Sequence, residues 1–146
     1  MTLEEDALTT WLVEYLEANT ELMSLLNGGV NIEVRPTSEG ASPFVRVDKL
    51  DGDDVIVIGG HRVWADMTYH VRGVEHWRGS GHPDRTEVNA IGARLDALLH
   101  WHEATTATHS IHGFREEPEP MPMTTEGDGS LWLQSGGVYR IRAAAT

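Results

Sequence analysis

The sequence predicts an α+β domain in which a mostly antiparallel β-sheet is packed by two main α-helices and carries long loops. Apolar residues recur at helical spacing over residues 8–16 and again over 88–99. Apolar and polar residues alternate most clearly over 63–71. Clusters of glycine, proline and aspartate separate these segments. We expect a single domain over residues 1–146.

Two helices are predicted at the start of the chain. Thr2 and Glu5 form a capping-box pattern, and an apolar stripe follows them at helical spacing. A second, short helix is predicted after Asn19 or Thr20, either of which can cap it, and the glycine pair at 28–29 ends it.

Strands are predicted next, where apolar and polar residues alternate. They cover residues 30–34, 44–50, a short apolar run at 55–58, and 62–72. The Asp-Gly-Asp-Asp sequence at 51–54 predicts a turn within a longer loop over 51–60.

The second half of the chain predicts a flexible loop, a helix and a final group of strands. The loop covers 73–83, and the helix begins at Asp84 or Thr86, with Gly92 placed to approach the sheet closely. A strand is predicted over 108–117. Residues 131–142 form either a strand pair or one strand bulged at the glycine pair 136–137.

The acidic segment Glu116–Ser130 predicts an arm that grips another protein. Its prolines stiffen the backbone, and Met121 and Met123 offer soft apolar contacts that a solvated loop does not need. We expect that deleting residues 118–125 leaves the monomer folded, because their backbone should face solvent, and that assembly falls sharply.

Charge and cysteine content limit the possible partners and chemistry. The net charge of −12 argues against a gripped nucleic acid or anionic membrane, since phosphate binding needs basic patches. The chain has no cysteine, and therefore no disulfide and no thiolate site. The acidic start is unlike a signal peptide, and no apolar run reaches the ~20 residues that span a bilayer, so we expect a soluble protein made in the cytoplasm.

The eight histidines do not predict a metal site or an enzyme. If residues 100–102 lie on a helix, His100 and His102 point about 200° apart and cannot share one ion. His112 can align with Ser110 on a strand face, but this pair lacks the rest of a catalytic arrangement. The glycine pairs do not form a phosphate-binding motif. We therefore expect no catalytic residue, no metal and no cofactor.

The predicted loops point to an assembly surface instead, because aromatic residues, methionine and arginine are enriched at protein interfaces. The candidate interface residues are Asp53, Asp54, Trp64, Trp77, Arg78, Glu119, Met121 and Met123.

The order of these segments resembles the tail-terminator proteins of long-tailed bacteriophages, also called tail-completion or head-to-tail joining proteins. The resemblance begins with the N-terminal helix and covers most of the chain. It continues through Asn19–Ile32, Pro43–Val47, the strand His61–Arg72, the helix Glu87–His100, and the closing Asp128–Trp132 and Val138–Arg142. The histidine-rich segment His100–His112 and the acidic segment Glu116–Ser130 depart from the usual pattern of that family.

The resemblance implies a structural virion protein without enzymatic activity. It implies a homo-oligomeric ring, typically a hexamer in that family, that caps the major tail-tube protein and docks to the head–tail connector. The implied place is the virion's head–tail junction, after assembly in the host cytoplasm. DNA would pass through the lumen without specific binding, and carboxylates lining the lumen would repel its phosphates.

Two alternatives stay open at this point. The first is another head–tail joining component, an adaptor or a head-closure protein. The second is a metal-dependent enzyme built on the histidine cluster of residues 100–112.

Overall fold

A computed structural model describes residues 3–33, 42–56, 62–79, 81–106, 109–120, 122–125, 127 and 129–145. Within these residues the chain forms three helices and seven strands. In order they are α1 (Leu3–Glu17), α2 (Thr20–Ser24), β1 (Val30–Ile32), β2 (Phe44–Ile56), β3 (Arg62–Trp77), α3 (Thr86–Leu99), β4 (His102–Thr105), β5 (His109–Pro118), β6 (Met123–Thr125) and β7 (Leu131–Ala145).

The strands form one mixed sheet in the order β1-β2-β3-β7-β5-β4, and β6 also pairs with β7. The β1–β2 pair is parallel, and the other described pairs are antiparallel. The predicted combination of helices with a strand-rich sheet is confirmed. Among the described strands, the two ends of this order are the β1–β2 edge and β4, and β6 likewise pairs with one neighbour, β7.

The core lies between one face of the sheet and the helices. The predicted stripes of α1 and α3 are buried there: Leu8, Leu12, Leu16, Val88, Ile91, Leu95, Leu98 and Leu99. Two buried tyrosines tie the sheet to the helices, because the Tyr139 hydroxyl donates to Asp96 Oδ1 at 2.9 Å and the Tyr69 hydroxyl lies 2.7 Å from Thr9 Oγ1. The register of β3 with β7 sets Tyr69 directly opposite Tyr139, so both bonds anchor the centre of the sheet.

Helix α3 begins where the sequence predicts it. The Thr86 amide donates to Asp84 Oδ1 at 2.9 Å, which satisfies one of the free amide groups at the helix start. The predicted close approach at Gly92 is also present, since a Cβ there would lie 2.0 Å from Ser135 Oγ of β7.

Replacing Gly92 by alanine is therefore expected to lower the free energy of unfolding by about 1–3 kcal/mol, because the helix must move away from the sheet. Chemical denaturation of the single variant measures this loss. The double variant Gly92→Ala/Ser135→Gly removes the clashing side chain and is expected to recover part of it. Equal stability of the single variant and the wild type would contradict the packing described here.

The sequence-based prediction of a turn at 51–54 is wrong, and so is that of a flexible loop over the first part of 73–83. Strand β2 continues through Asp51–Asp54 to Ile56, and β3 continues through residues 73–77. A register shift between Lys49 and Asp51 absorbs Leu50 without ending the strand. Pairing with neighbouring strands satisfies these backbone groups and overrides the local preference for a turn.

The final strand differs from both of its predicted forms, because it is neither a strand pair nor bulged at Gly136–Gly137. Residues 131–145 form a single strand whose pairing with β3 runs through Gly136–Gly137 without interruption. The irregularity lies on the partner strand β5, between Arg115 and Glu117. A Cβ on Gly136 would lie 2.2 Å from the Val71 carbonyl oxygen, so a close backbone approach explains this glycine.

Candidate assembly interface

The segment predicted as a gripping arm is partly built into the sheet. Residues 116–118 complete β5, and Met123–Thr125 form β6, which pairs with residues 131–133 of β7. Met123 is half exposed, whereas Met121 lies outside the described residues. The prediction of one long loop over 116–130 is therefore wrong.

Glu119 holds this segment against the sheet. Its carboxylate lies 2.8 Å from His70 Nε2, and both side chains are 7% exposed. Further along, the backbone amide of Gln134 donates to the Pro122 carbonyl at 2.8 Å, and Arg85 Nη1 donates to the same carbonyl at 3.2 Å. Deleting residues 118–125 would remove these contacts and strand β6, so we no longer expect the deletion to leave the fold intact.

Replacing Glu119 by alanine is expected to loosen the segment 119–125. The change leaves buried His70 without this partner, a loss on the order of 1–3 kcal/mol. Limited proteolysis and amide hydrogen exchange of β6 measure the effect, and both should become faster. Glu117→Ala is the matched control, because Glu117 is exposed on the neighbouring strand. Equal protection of β6 in both variants would show that Glu119 does not hold the segment.

Trp77 and Arg78 lie at the end of β3. Trp77 is paired with Leu131 and packs its ring over Gly79, where a Cβ would lie 2.4 Å from the indole. Arg78 is exposed, and its Nε donates to His76 Nδ1 at 3.4 Å. The Trp77 ring is therefore partly covered by its own chain, and Arg78 is the more accessible of the two residues.

The structure does not bring the predicted residues together at one site. Asp53 and Asp54 lie on β2 opposite Asp66 and Ala65 of β3, and Trp64 is paired with the next residue of β2, Val55. The side chains of Asp53, Asp54 and Trp64 are outside the described part of the structure. Trp64 and Trp77 sit at opposite ends of β3, and thirteen residues of strand span roughly 40 Å. The described candidates thus do not form one surface, since Glu119 contacts His70 between these two ends.

Trp101 is an exposed residue that the sequence analysis missed. It is 76% exposed and adopts a left-handed backbone conformation with φ of 55°. Its ring stacks on Phe114 at a centroid distance of 5.9 Å. A bulky residue pays on the order of 1–2 kcal/mol for this conformation, which turns the chain from α3 into β4. A tryptophan directly after the predicted helix was the available signal.

Exposed apolar side chains mark both outer edges of the sheet. Trp101 directly precedes β4, which pairs only with β5 among the described strands. At the opposite edge, Ile32 of β1 is 43% exposed and Leu50 of β2 is 55% exposed. An edge strand offers unpaired backbone groups to another chain, and apolar side chains beside it favour such contact.

The histidines near the end of α3 serve separate local contacts. His100 Nδ1 accepts from the Arg115 amide at 2.9 Å, while His102 packs against Tyr15 at a centroid distance of 4.5 Å. Burial lowers the pKa of His102. His112 lies 3.4 Å from Ser110 Oγ and 3.5 Å from Glu103 Oε1. In the described part of the chain, no three His, Cys, Asp or Glu residues are grouped to hold a metal ion.

A buried carboxyl group lies at the start of α3. Glu75 is 8% exposed, and its Oε2 has no hydrogen-bond partner among the described residues. Burial, followed by the nearby Glu87 carboxyl, raises the pKa of Glu75 to about 7. This carboxyl should therefore change its charge near neutral pH.

No helix in the described ranges combines the length and apolar character needed to cross a membrane. Comparison with known proteins does not assign a family to the chain: no family model matches the sequence. No curated protein matches it significantly either.

Proposed function

We propose that the chain is a structural virion protein that forms a ring, ends the phage tail tube and joins the tail to the head connector. The observation that carries the proposal is the exposed apolar side chains at both outer edges of the sheet. The order of the chain's segments, which resembles that of tail-terminator proteins, supplies the biological setting.

A ring needs two different, complementary surfaces on each subunit, because head-to-tail contacts close only when one surface meets the other. We assign these two roles to the β4 edge with Trp101 and to the β1–β2 edge with Ile32 and Leu50, which are different surfaces that both expose apolar side chains. Contact between them would extend the sheet from one subunit to the next. A hexamer is the ring size that the resemblance implies.

Trp101 is the proposed centre of this contact. Tryptophan is among the residues enriched at interface hot spots, where truncation costs 2 kcal/mol or more. In the monomer, most of its ring faces solvent and its backbone is strained. Burial against a neighbouring subunit would recover apolar area at about 25 cal/mol per Å² and offset that strain.

The remaining parts of the proposal follow from the ring. Its flat ends would contact the tail-tube protein and the head connector, and DNA would pass through its lumen. Exposed carboxylates such as those of Glu21 and Glu103 are available to line the lumen and repel phosphate. The proposed role is structural and needs neither catalysis nor a cofactor. An adaptor or head-closure protein would use the same edges and stays the nearest alternative.

Negative-stain microscopy of the purified chain tests the proposal, alone and after addition of the tail-tube protein from the same phage. We expect closed rings in at least the second sample, seated on the ends of tubes. Rings that bind isolated connectors but ignore tubes would favour the adaptor alternative. Particles without rings in both samples would contradict the proposal.

A further inference from the structure

The two outer edges of the sheet can be compared level by level, where a level is a row of residues that pair across neighbouring strands. One such row crosses the sheet from β4 to β2 and consists of Glu103, His112, Arg142, Asp66 and Asp53. The rows beside it follow the same path, so β4 is level with residues 52–55 of β2. Strand β1 lies lower, level with residues 45–47 of β2.

Because β1 and β4 occupy different levels, each edge has a step. On one edge β1 projects as far as the level of Val47, whereas at residues 52–55 no described strand pairs with β2 on the side away from β3. On the other edge β4 projects at the upper level, whereas β5 ends at Pro118, which is level with Val47. The projecting β4 of one subunit therefore fits beside the open part of β2 on the next, where β1 meets the end of β5.

Strand direction distinguishes a ring contact from a twofold contact. The order β2-β3-β7-β5-β4 contains four antiparallel pairings, an even number, so β4 runs in the same direction as β2. Head-to-tail contact in a ring whose axis runs along the strands preserves this direction and makes the new β4–β2 pair parallel. A twofold dimer would instead pair an edge strand with its own copy.

The most exposed apolar side chains of the two edges share one level. The Trp101 ring stacks on Phe114 at a centroid distance of 5.9 Å, and Phe114 is level with Asp51 of β2 through β7 and β3. Leu50 directly precedes Asp51, at the register shift of β2. Trp101 is 76% exposed and Leu50 is 55% exposed. Neighbouring strands lie about 4.8 Å apart, so level side chains on two joined edges come into contact.

We propose that neighbouring subunits join through parallel, unstaggered pairing of β4 with residues 52–55 of β2, so that Trp101 packs against Leu50 of the next subunit. This junction rests on the proposed head-to-tail ring and defines its strand direction, its register and its central apolar pair. A slip of two residues, about 7 Å, would separate Trp101 from Leu50. A slip of one residue would exchange the faces of the joined strands.

Disulfide trapping tests the register, because the chain contains no cysteine of its own. The level pairs are Glu103→Cys/Asp53→Cys and Thr105→Cys/Val55→Cys, and both are expected to give covalent oligomers under mild oxidation. Within one chain each pair is separated by four strand spacings, roughly 19 Å, so a disulfide must join two subunits. The crossed pairs Glu103→Cys/Val55→Cys and Thr105→Cys/Asp53→Cys are the matched controls. Their Cα atoms would lie about 8 Å apart, beyond the reach of a disulfide.

Microscopy of the same samples separates the junction from the ring itself. Rings without disulfides in the level pairs, or with efficient disulfides in the crossed pairs, would overturn the junction and leave the ring. Efficient dimerisation of the single variant Glu103→Cys would show a β4–β4 contact and would also overturn the junction. Level-pair disulfides in open chains would support the junction and contradict the closed ring. A sample with neither rings nor disulfides would contradict both.

Leu50→Ala tests the apolar pair without cysteines. Sedimentation velocity is expected to show assembly weakened about tenfold, the factor for losing the burial of one leucine side chain. Ile32→Ala is the matched control and should weaken assembly less, because Ile32 is exposed on the same edge but level with Val47, roughly 10 Å from the level of Trp101. In the Trp101→Phe background the effect of Leu50→Ala should shrink, since the two side chains contact each other. An equal or larger loss from Ile32→Ala, or an undiminished loss in the Trp101→Phe background, would overturn the pairing.

Discussion

Replacing Trp101 by glycine is expected to abolish ring formation while leaving the monomer as stable as the wild type. Glycine adopts φ of 55° without strain, which offsets the lost stacking on Phe114 within the monomer. The interface loses its tryptophan anchor, and a hot-spot loss of 2 kcal/mol weakens each contact roughly 30-fold. Sedimentation velocity measures assembly, and thermal unfolding at low concentration measures the monomer.

Two control variants distinguish the contribution of Trp101 from that of other exposed apolar residues. Trp101→Phe keeps an aromatic ring and should retain part of the assembly. Met123→Ala changes another exposed apolar residue, on β6, which pairs with residues 131–133 of β7 and takes no part in the proposed contact between the β4 and β1–β2 edges, and should leave assembly unchanged. Assembly of Trp101→Gly at wild-type concentrations would show that this residue is not the anchor.

Replacing Glu75 by glutamine is expected to stabilise the protein at alkaline pH and to have much less effect in mild acid. The pKa of this carboxyl is about 7 in the folded chain, against 4.5 for an ordinary glutamate. The protonated Glu75 is therefore compatible with the folded state, whereas its ionisation disfavours folding. The free energy of unfolding falls as the pH rises from 4.5 to about 7. Since one pKa unit corresponds to about 1.4 kcal/mol, the advantage of glutamine should grow by about 2 kcal/mol between about pH 5.5 and 8.5.

Denaturant unfolding of both proteins across this range measures the difference, with the Trp101→Gly change in each so that assembly does not contribute. Glu87→Gln is the informative companion, because removing the neighbouring carboxyl should lower the pKa of Glu75 and flatten the pH dependence. A constant difference between Glu75→Gln and its parent at all pH values would contradict the assigned pKa.

The helices were predictable because their signals are local. The stripes of α1 and α3 repeat over several turns, and Asp84 and Thr86 mark the start of α3. The lengths of β2 and β3 were not predictable in this way. The Asp-Gly-Asp-Asp sequence favours a turn, and only pairing with residues 65–68 of β3 keeps it extended. Such pairing joins residues that are distant in sequence, which local propensity does not report.

The candidate interface was predicted less well for a similar reason. Prolines and acidic residues suggested a solvated arm, but the partner that buries Glu119 is His70, 49 positions earlier in the chain. Trp101 was overlooked because its exposure depends on where α3 ends and how the chain enters β4. Its position at the edge of the sheet follows from the strand order, which cannot be read from the sequence.

Native mass spectrometry of the assembled protein tests the central claim most directly. Six chains of 16.2 kDa give a closed hexamer of about 97 kDa, and the proposal predicts this single dominant species, alone or with tail-tube protein bound. Trp101→Gly should shift the mass to that of one chain. A wild-type protein that stays at 16.2 kDa, even with tail-tube protein present, would contradict the account.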